Sequence, residues 1–219
     1  MVIRVVAPLD RIITLGVLAF DGLRVLDADG SLDVPLAAAA AALKSRPEID
    51  AAIAATRAMY KQVGIDPTKT RPSSEALLRR IRRGDPLPRV NTLVDICNWC
   101  SVEVQVPYGL YDRDRISGDT VELRLGAAGD EYPGIRKDVV HLDGRPALFD
   151  ADGPFGNPTS DSARTMVTAA TRRAVFVVYA PASTSRRRME EALELTARRA
   201  VQFAGGREVW RELAGTATV

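Results

Sequence analysis

Two predominantly apolar runs limit the folds that this chain can adopt. Residues 12–20 form a β-rich run that ends at the turn signal Asp21-Gly22, and residues 174–179 form a second run of the same kind. Short runs of this composition predict buried strands. Because helical patterns lie between and after them, we expect an α/β fold of the mixed α+β kind. Several sheets and flanking helices would form one compact domain over residues 1–219.

The other predicted elements are bounded by residues that cap or break regular structure. The predicted helices cover residues 34–60 (two helices divided near Pro47), a segment after Pro72 with Ser73 or Ser74 as its cap, residues 92–104 with Asn91 or Thr92 as the cap, and residues 185–203. The further predicted strands cover residues 23–26 (in a hairpin with the first strand), 120–125, 139–142 and 147–149, with a hairpin turn at Asp143-Gly144. No repeat or low-complexity linker divides the chain.

The composition is that of an ordinary soluble globular protein. Apolar residues make up 46% and charged residues 26% of the chain, and the formal net charge is only +2. No apolar run reaches the length of about 18 residues that spans a membrane, and the N-terminus lacks the features of a secretory signal. The two cysteines, Cys97 and Cys100, cannot form a disulfide framework. We therefore expect a cytoplasmic protein that does not bind a membrane.

Several kinds of chemistry are disfavoured by the motifs. The chain has neither a Walker sequence nor a G-x-G-x-x-G after a strand, so we expect no ATP, NAD or other cofactor. Cys97 and Cys100 form a C-x-x-C, but both lie on the apolar face of a predicted helix, which favours packing over redox use. A zinc site would need two further ligands, and the sole histidine, His141, is distant in sequence and lies in a predicted strand. We therefore expect no metal and assign His141 a structural role.

Arginine is concentrated in three segments. Residues 71–89 carry six arginines against Glu75 and Asp85, and shorter clusters occur at residues 172–173 and 186–188. A single charge run is usually a solvated face. Three runs in one chain are compatible with a surface that binds phosphates.

Polar side chains are crowded into residues 70–75, 91–98 and 156–165. Helix capping and turn formation explain such residues as readily as a binding site does. The part from Asp161 to Thr165 is denser than a turn requires, because it combines a carboxylate, two hydroxyls and a guanidinium within five residues. These segments hold most of the candidate site residues.

One part of the chain resembles a known family. The sequence L-V-D-I-C-N-W at residues 93–99, followed by Glu103, Pro107, Tyr111-Asp112 and Arg115-Ile116, is similar to the editing module in the beta chain of bacterial phenylalanyl-tRNA synthetase, its third and fourth domains. The sequences R-P-S-S-E-A-L at residues 71–77 and P-T-S-D-S-A-R-T at residues 158–165 look like those of stand-alone members. The likeness covers residues 70–181, with residues 1–69 and 182–219 as flanking additions.

This resemblance implies a site and an activity. The synthetase module hydrolyses tyrosine wrongly attached to the phenylalanine tRNA, in a cleft to which a helical Thr-Asn pair and a downstream histidine contribute. Here Asn98 matches the asparagine, Cys97 stands at the threonine position and Gly109 at the histidine position. The family's Gly-Gly-Glu has no clear match near residues 153–155. These departures indicate an amino acid other than tyrosine, or none.

Two hypotheses follow. In the first, the chain is a trans-acting aminoacyl-tRNA deacylase that binds the acceptor end of tRNA without a cofactor. Its catalytic residues would be Asn98, Ser162 and Thr165, and its substrate-binding residues would be Arg71, Ser73, Ser74, Glu75, Cys97, Gly109, Asp161 and Arg164. In the second, the chain is a non-catalytic module that binds tRNA or an amino-acid-like ligand. A redox protein built on Cys97 and Cys100 is a weaker third possibility.

Overall fold

The chain folds into short strands and five α-helices over the part that the structure describes. The computed structural model describes residues 1–46, 49–135 and 139–215. The helices are α1 (Asp33–Leu43), α2 (Ile49–Gln62), α3 (Ser73–Arg82), α4 (Thr92–Val104) and α5 (Arg186–Arg199). The strands are β1 (Val2–Val5), β2 (Ile13–Asp21), β3 (Tyr108–Asp112), β4 (Thr120–Leu125), β5 (Glu131–Pro133), β6 (Val139–His141), β7 (Pro146–Asp150), β8 (Gly153–Asn157), β9 (Ser160–Asp161), β10 (Arg173–Pro181) and β11 (Arg207–Ala214).

The two apolar runs form the middle of a four-stranded sheet in the order β11-β2-β10-β3. Strands β2 and β10 pair antiparallel along their full lengths. Successive side chains of a strand point to opposite faces. Leu18, Phe20 and Phe176 therefore pack into one core with residues of α4 and α5, while Val17 and Val175 pack into a second core with α2 and the other large sheet. Both faces are covered, which explains why the runs carry apolar side chains on both faces of the strand.

The second sheet is five-stranded, in the order β1-β4-β7-β8-β9. Its β1–β4 pair is parallel, and the other pairs are antiparallel. The last strand, β9, lies against β3, the edge strand of the central sheet. The candidate segment 156–165 thus lies where the edges of the two sheets meet.

The fold class is the mixed α/β arrangement that the sequence predicts, and α4 agrees with its prediction at both ends. The side chain of Asn91 accepts a hydrogen bond from the Val94 N–H, so Asn91 is the N-cap. The last predicted helix is also present. It starts after Ser185, whose side chain caps it, and a π-helical turn (Ala200–Ala204) extends it as far as Gly205.

Three local predictions were wrong. The segment 23–26 forms no strand, because β2 is flanked by β10 and β11 instead. The turn at Asp143-Gly144 closes no hairpin, since β6 pairs with β5 whereas β7 pairs with β4 and β8. Helix α3 begins after Pro72 without a side-chain cap, and Ser73 and Ser74 lie within its first turn. The predicted break at Pro47 lies outside the described residues.

No helix in the described ranges combines the length and the apolar character needed to cross a membrane.

Candidate active site

A cavity of about 330 Å³ opens between α4, β3 and the segment that carries β9. Its walls are largely apolar, with a small number of polar groups, which is the usual character of a small-molecule site. The apolar lining comes from Val90, Val94, Tyr108, Leu110, Ile135, Met166 and Val167, and the polar lining includes Ser73, Asn91, Cys97, Asn98, Ser101, Asn157, Thr159, Ser160 and Asp161.

One flank of α4 forms a wall of the cavity. Asn91, Val94, Asn98 and Ser101 recur at helical spacing, so their side chains lie along the same side of the helix. Because Asn91 caps α4 and Ser101 donates a hydrogen bond to the Val106 carbonyl at 2.8 Å, both ends of this wall are fixed. Asn98 is half-buried between them, and its amide can donate to or accept from a ligand.

The opposite wall is a turn held by Asn157. Its Oδ1 accepts hydrogen bonds from the Thr159 N–H, the Thr159 hydroxyl and the Ser160 N–H, at 2.7–2.8 Å. The Tyr60 hydroxyl donates to the Pro158 carbonyl at 2.8 Å. This network, an Asx-turn braced by a buried tyrosine, fixes the direction in which the next residue, Asp161, enters the cavity.

Among the residues that the structure describes, Asp161 is the carboxyl group that lines the cavity. Its Oδ1 is buried and has no hydrogen-bond partner among the described residues. Burial raises the pKa of this carboxyl group to about 7, although hydrogen bonds from the Tyr111 hydroxyl and the Leu110 N–H partly oppose the shift. The group therefore changes charge near neutral pH. Such a carboxylate can accept a proton or pair with a cationic or hydrogen-bonding ligand group.

A buried pair of tyrosines, Tyr111 and Tyr179, lies next to Asp161. The Tyr111 and Tyr179 hydroxyls lie 2.8 Å apart. Tyr111 has one hydroxyl proton, so when it donates to Asp161, Tyr179 donates to Tyr111. A Cβ at Gly109 or Gly156 would lie far inside van der Waals contact with the Tyr111 phenol. The absence of a side chain at Gly109 and at Gly156 thus provides the space that the Tyr111 ring occupies.

The thiol of Cys97 also borders the cavity. Its pKa is raised well above the usual range by burial first, and then by Asp161 and Cys100. Burial likewise raises the pKa of the Cys100 thiol, against the opposing effect of Arg199. Both thiols therefore stay protonated at neutral pH, and a protonated thiol is a poor nucleophile and a poor redox centre.

We expect Cys97 and Cys100 to resist iodoacetamide in the native protein at about pH 7.5, because alkylation requires an accessible thiolate. Mass spectrometry after a short exposure would detect unmodified chain, whereas the same exposure in denaturant should label both residues. Rapid native labelling of either thiol would revive the redox hypothesis.

The other predicted site residues are held by contacts within the fold. Ser162 is fully buried, and its hydroxyl accepts a hydrogen bond from the Arg164 N–H at 3.0 Å. The buried Thr165 hydroxyl donates to the Phe155 carbonyl at 3.2 Å. Two nitrogens of the Arg164 guanidinium each lie 2.9 Å from the buried Asp150 carboxylate. These contacts brace β7 and β8, and they direct all three side chains away from the cavity lining.

The residues around α3 divide between the cavity and a separate ion cluster. Ser73 lines the cavity, while Ser74 is buried beside it. Glu75 is buried and pairs with Arg71 among others. His141 lies on the exposed β6 strand, where its Nδ1 is 3.0 Å from Glu131.

Sequence reasoning missed the apolar wall (Tyr108, Leu110, Met166 and Val167), because apolar residues that line a cavity have the same pattern as core residues.

No three His, Cys, Asp or Glu side chains of the described ranges are grouped in a way that could hold a metal ion.

These features define a mixed α/β protein with a pocket at the junction of two sheets. The profile of the B3/4 domain, the domain type found in the phenylalanyl-tRNA synthetase beta subunit, matches residues 55–213. The chain therefore belongs to the B3/4 domain family.

Among solved structures, the chain is similar to an N-terminal fragment of the phenylalanyl-tRNA synthetase beta subunit from Pyrococcus horikoshii, with 15% sequence identity and a TM-score of 0.49. The match covers 97% of this chain and 50% of the fragment, so the chain spans about half the length of that structure. Comparison with curated proteins gave no match.

Proposed function

We propose that this protein binds the aminoacyl end of a tRNA in the cavity and hydrolyses the ester in trans. The observation that supports this most is that Asn98 and the half-buried Asp161 both line one largely apolar pocket of a B3/4 family member. The apolar walls suit an amino-acid side chain, and the two polar groups suit the donors and acceptors around an aminoacyl ester.

The proposed reaction needs little chemical assistance from the protein. A water molecule attacks the ester carbonyl carbon, and the bond between that carbon and the ribose oxygen breaks. The ribose oxygen takes up one proton of the water, and the new carboxylic acid releases the other to solvent. The products are a free amino acid and an uncharged tRNA. An aminoacyl ester is already activated, so a fixed geometry with help from the neighbouring ribose hydroxyl can supply much of the acceleration. Asn98 would orient the ester or the water, and ionised Asp161 would pair with the amino group of the substrate.

We expect Asn98→Ala to lower deacylation of the preferred mischarged tRNA by roughly 10-fold, because one neutral hydrogen bond to the reacting group is lost. The measurement is release of radiolabelled amino acid from a panel of correctly and incorrectly charged tRNAs. His141→Ala, an exposed substitution outside the cavity, should retain the activity of the unmodified protein. Equal activity of a folded Asn98→Ala variant would remove this residue from the mechanism.

The alternative is a module that binds tRNA without hydrolysis. It is favoured by one observation: two candidate nucleophiles are unsuited to attack, since the Ser162 hydroxyl is directed away from the cavity and the Cys97 thiol is protonated. Retention of tRNA at low salt without release of any amino acid would support this alternative and overturn the hydrolase proposal.

A further inference from the structure

Three arginines converge on one buried carboxylate at the start of α3. Arg57 of α2 contacts both oxygens of Glu75, at 2.9 and 3.1 Å. Arg71 and Arg79 approach the same carboxylate at 3.4 and 3.3 Å. Glu75 is 6% exposed, whereas the three arginine side chains are 29%, 36% and 54% exposed. Among these four side chains, positive charge exceeds negative charge by two, and the excess lies at the surface.

Three of the five arginines in the other two clusters pair with a carboxylate, whereas Arg172 and Arg188 donate to backbone carbonyls, so each of those clusters keeps an excess of one positive charge. Arg186 pairs with Glu190 at 2.8 Å and Arg187 with Glu191 at 3.8 Å, each across one turn of α5. Arg173 pairs with Asp114. A single arginine in the geometry of Arg57 would satisfy Glu75, so Arg71 and Arg79 are not needed to compensate its charge. The excess of two positive charges at Glu75 is thus larger than the excess in either of the other two clusters.

The cluster adjoins the cavity. Ser73 lines the cavity wall, and Arg71 precedes it by two residues, a backbone separation of at most about 7 Å. A ligand polymer whose end lies in the cavity would thus extend past Arg71. Guanidinium groups bind phosphate through paired donors, and partly exposed ones can exchange a weak contact with Glu75 for a phosphate.

We propose that Arg71 and Arg79, held by Glu75 and Arg57, bind backbone phosphates of an RNA whose 3′ end enters the cavity. This proposal rests on the proposed function for the identity of the RNA, a tRNA acceptor end, but not on hydrolysis. Arg57 serves to keep the Glu75 carboxylate paired when the other two arginines turn to the phosphates.

The test is the affinity for uncharged tRNA, measured by fluorescence anisotropy at several salt concentrations. Arg71→Gln combined with Arg79→Gln should weaken binding about 10-fold, and the slope of log affinity against log salt should fall by about 1.4–1.8, the value for two phosphate contacts. Arg57 stays in place so that Glu75 is not left unpaired. The matched control is Arg186→Gln combined with Arg187→Gln, which removes the same charge and should change affinity by less than about 2-fold.

Equal losses of tRNA affinity in the two double variants would overturn the proposal, because the affinity would then depend only on the net charge of the protein. Binding of a mononucleotide as tightly as tRNA would also overturn it, since the cluster would then be a site for a small phosphate ligand. Hydrolysis is read separately with an aminoacyl-adenosine, which has no phosphate. If no ester is cleaved but the tRNA result is as expected, the hydrolase proposal fails and the phosphate site is retained.

Discussion

Replacing Asp161 by Asn should lower kcat/KM for the preferred aminoacyl-tRNA about 100-fold at about pH 7.5. The substitution keeps the size of the side chain but removes the charge that would pair with the substrate's amino group. A hydrogen bond to a charged group contributes about 1.5–3 kcal/mol, which corresponds to a loss of roughly 10-fold to more than 100-fold. Steady-state deacylation, corrected for the spontaneous hydrolysis of the ester at each pH, measures this effect.

The pH dependence of kcat/KM shows whether the charge of Asp161 contributes to activity. Since the pKa of Asp161 is raised to about 7, the carboxyl group is neutral in acid and ionised above neutrality. The kcat/KM of the unmodified protein should therefore rise with pH up to about 7, whereas the Asp161→Asn variant should lack this rise. A profile that keeps the same inflection in the variant would show that another group is responsible.

The same substitution should stabilise the fold in alkaline solution. A carboxyl pKa raised in the folded state means that folding favours the protonated form, so this group's favourable contribution is present in acid and is lost as pH rises from about 4 to about 7. Asn cannot ionise, so the variant avoids that loss, on the order of 4 kcal/mol above pH 7 for a rise of about three pKa units. Thermal unfolding at about pH 5 and pH 8 would test this. A variant that is inactive because it is unfolded would instead lose stability at both values.

How far the sequence predicts this protein depends on how local each determinant is. Helix α4 was placed correctly because its cap, Asn91, and its apolar spacing lie within the helix itself. Strands β2 and β10 were recognisable because both of their faces are buried. Strand β11 was missed because it pairs at the edge of the sheet and its side chains are largely half-buried or exposed. Edge strands carry a weak apolar signal.

The candidate site residues also divide into those marked by local sequence and those whose environment depends on distant segments. Asn98 and Cys97 were candidates because α4 and the family pattern mark them, and both line the cavity. Ser162 and Thr165 were candidates because the segment is rich in polar groups and resembles stand-alone family members, but their partners are backbone groups of Arg164 and Phe155, which depend on how β8 and β9 pair. The raised pKa of Asp161 was not predictable either, because it depends on burial created by segments distant in sequence.

Introducing a histidine at position 109 should destabilise the fold by about 3 kcal/mol. This is the position that the resemblance aligns with the family's histidine, and in this chain the Tyr111 phenol occupies the space into which a side chain there would point. The ring is fully buried and is enclosed on its other side by Gly156, so it cannot move away without cost. Its displacement would also break the hydrogen bond to Tyr179. Chemical denaturation measures the loss.

Two further variants make this expectation specific. Gly30→His is the matched control, because a Cβ at Gly30 meets nothing closer than 3.8 Å and should cost less than about 1 kcal/mol. Adding Tyr111→Leu to Gly109→His should relieve the crowding at position 109. The double variant should therefore lose less unfolding free energy than the sum of the losses of the two single variants. Additive losses would mean that Tyr111 does not compete for this space. Coupled losses would explain the absent histidine physically: the glycine at 109 makes room for Tyr111, whose hydroxyl lowers the pKa of Asp161. Adding the histidine alone would then disturb the carboxylate to which we assign ligand binding.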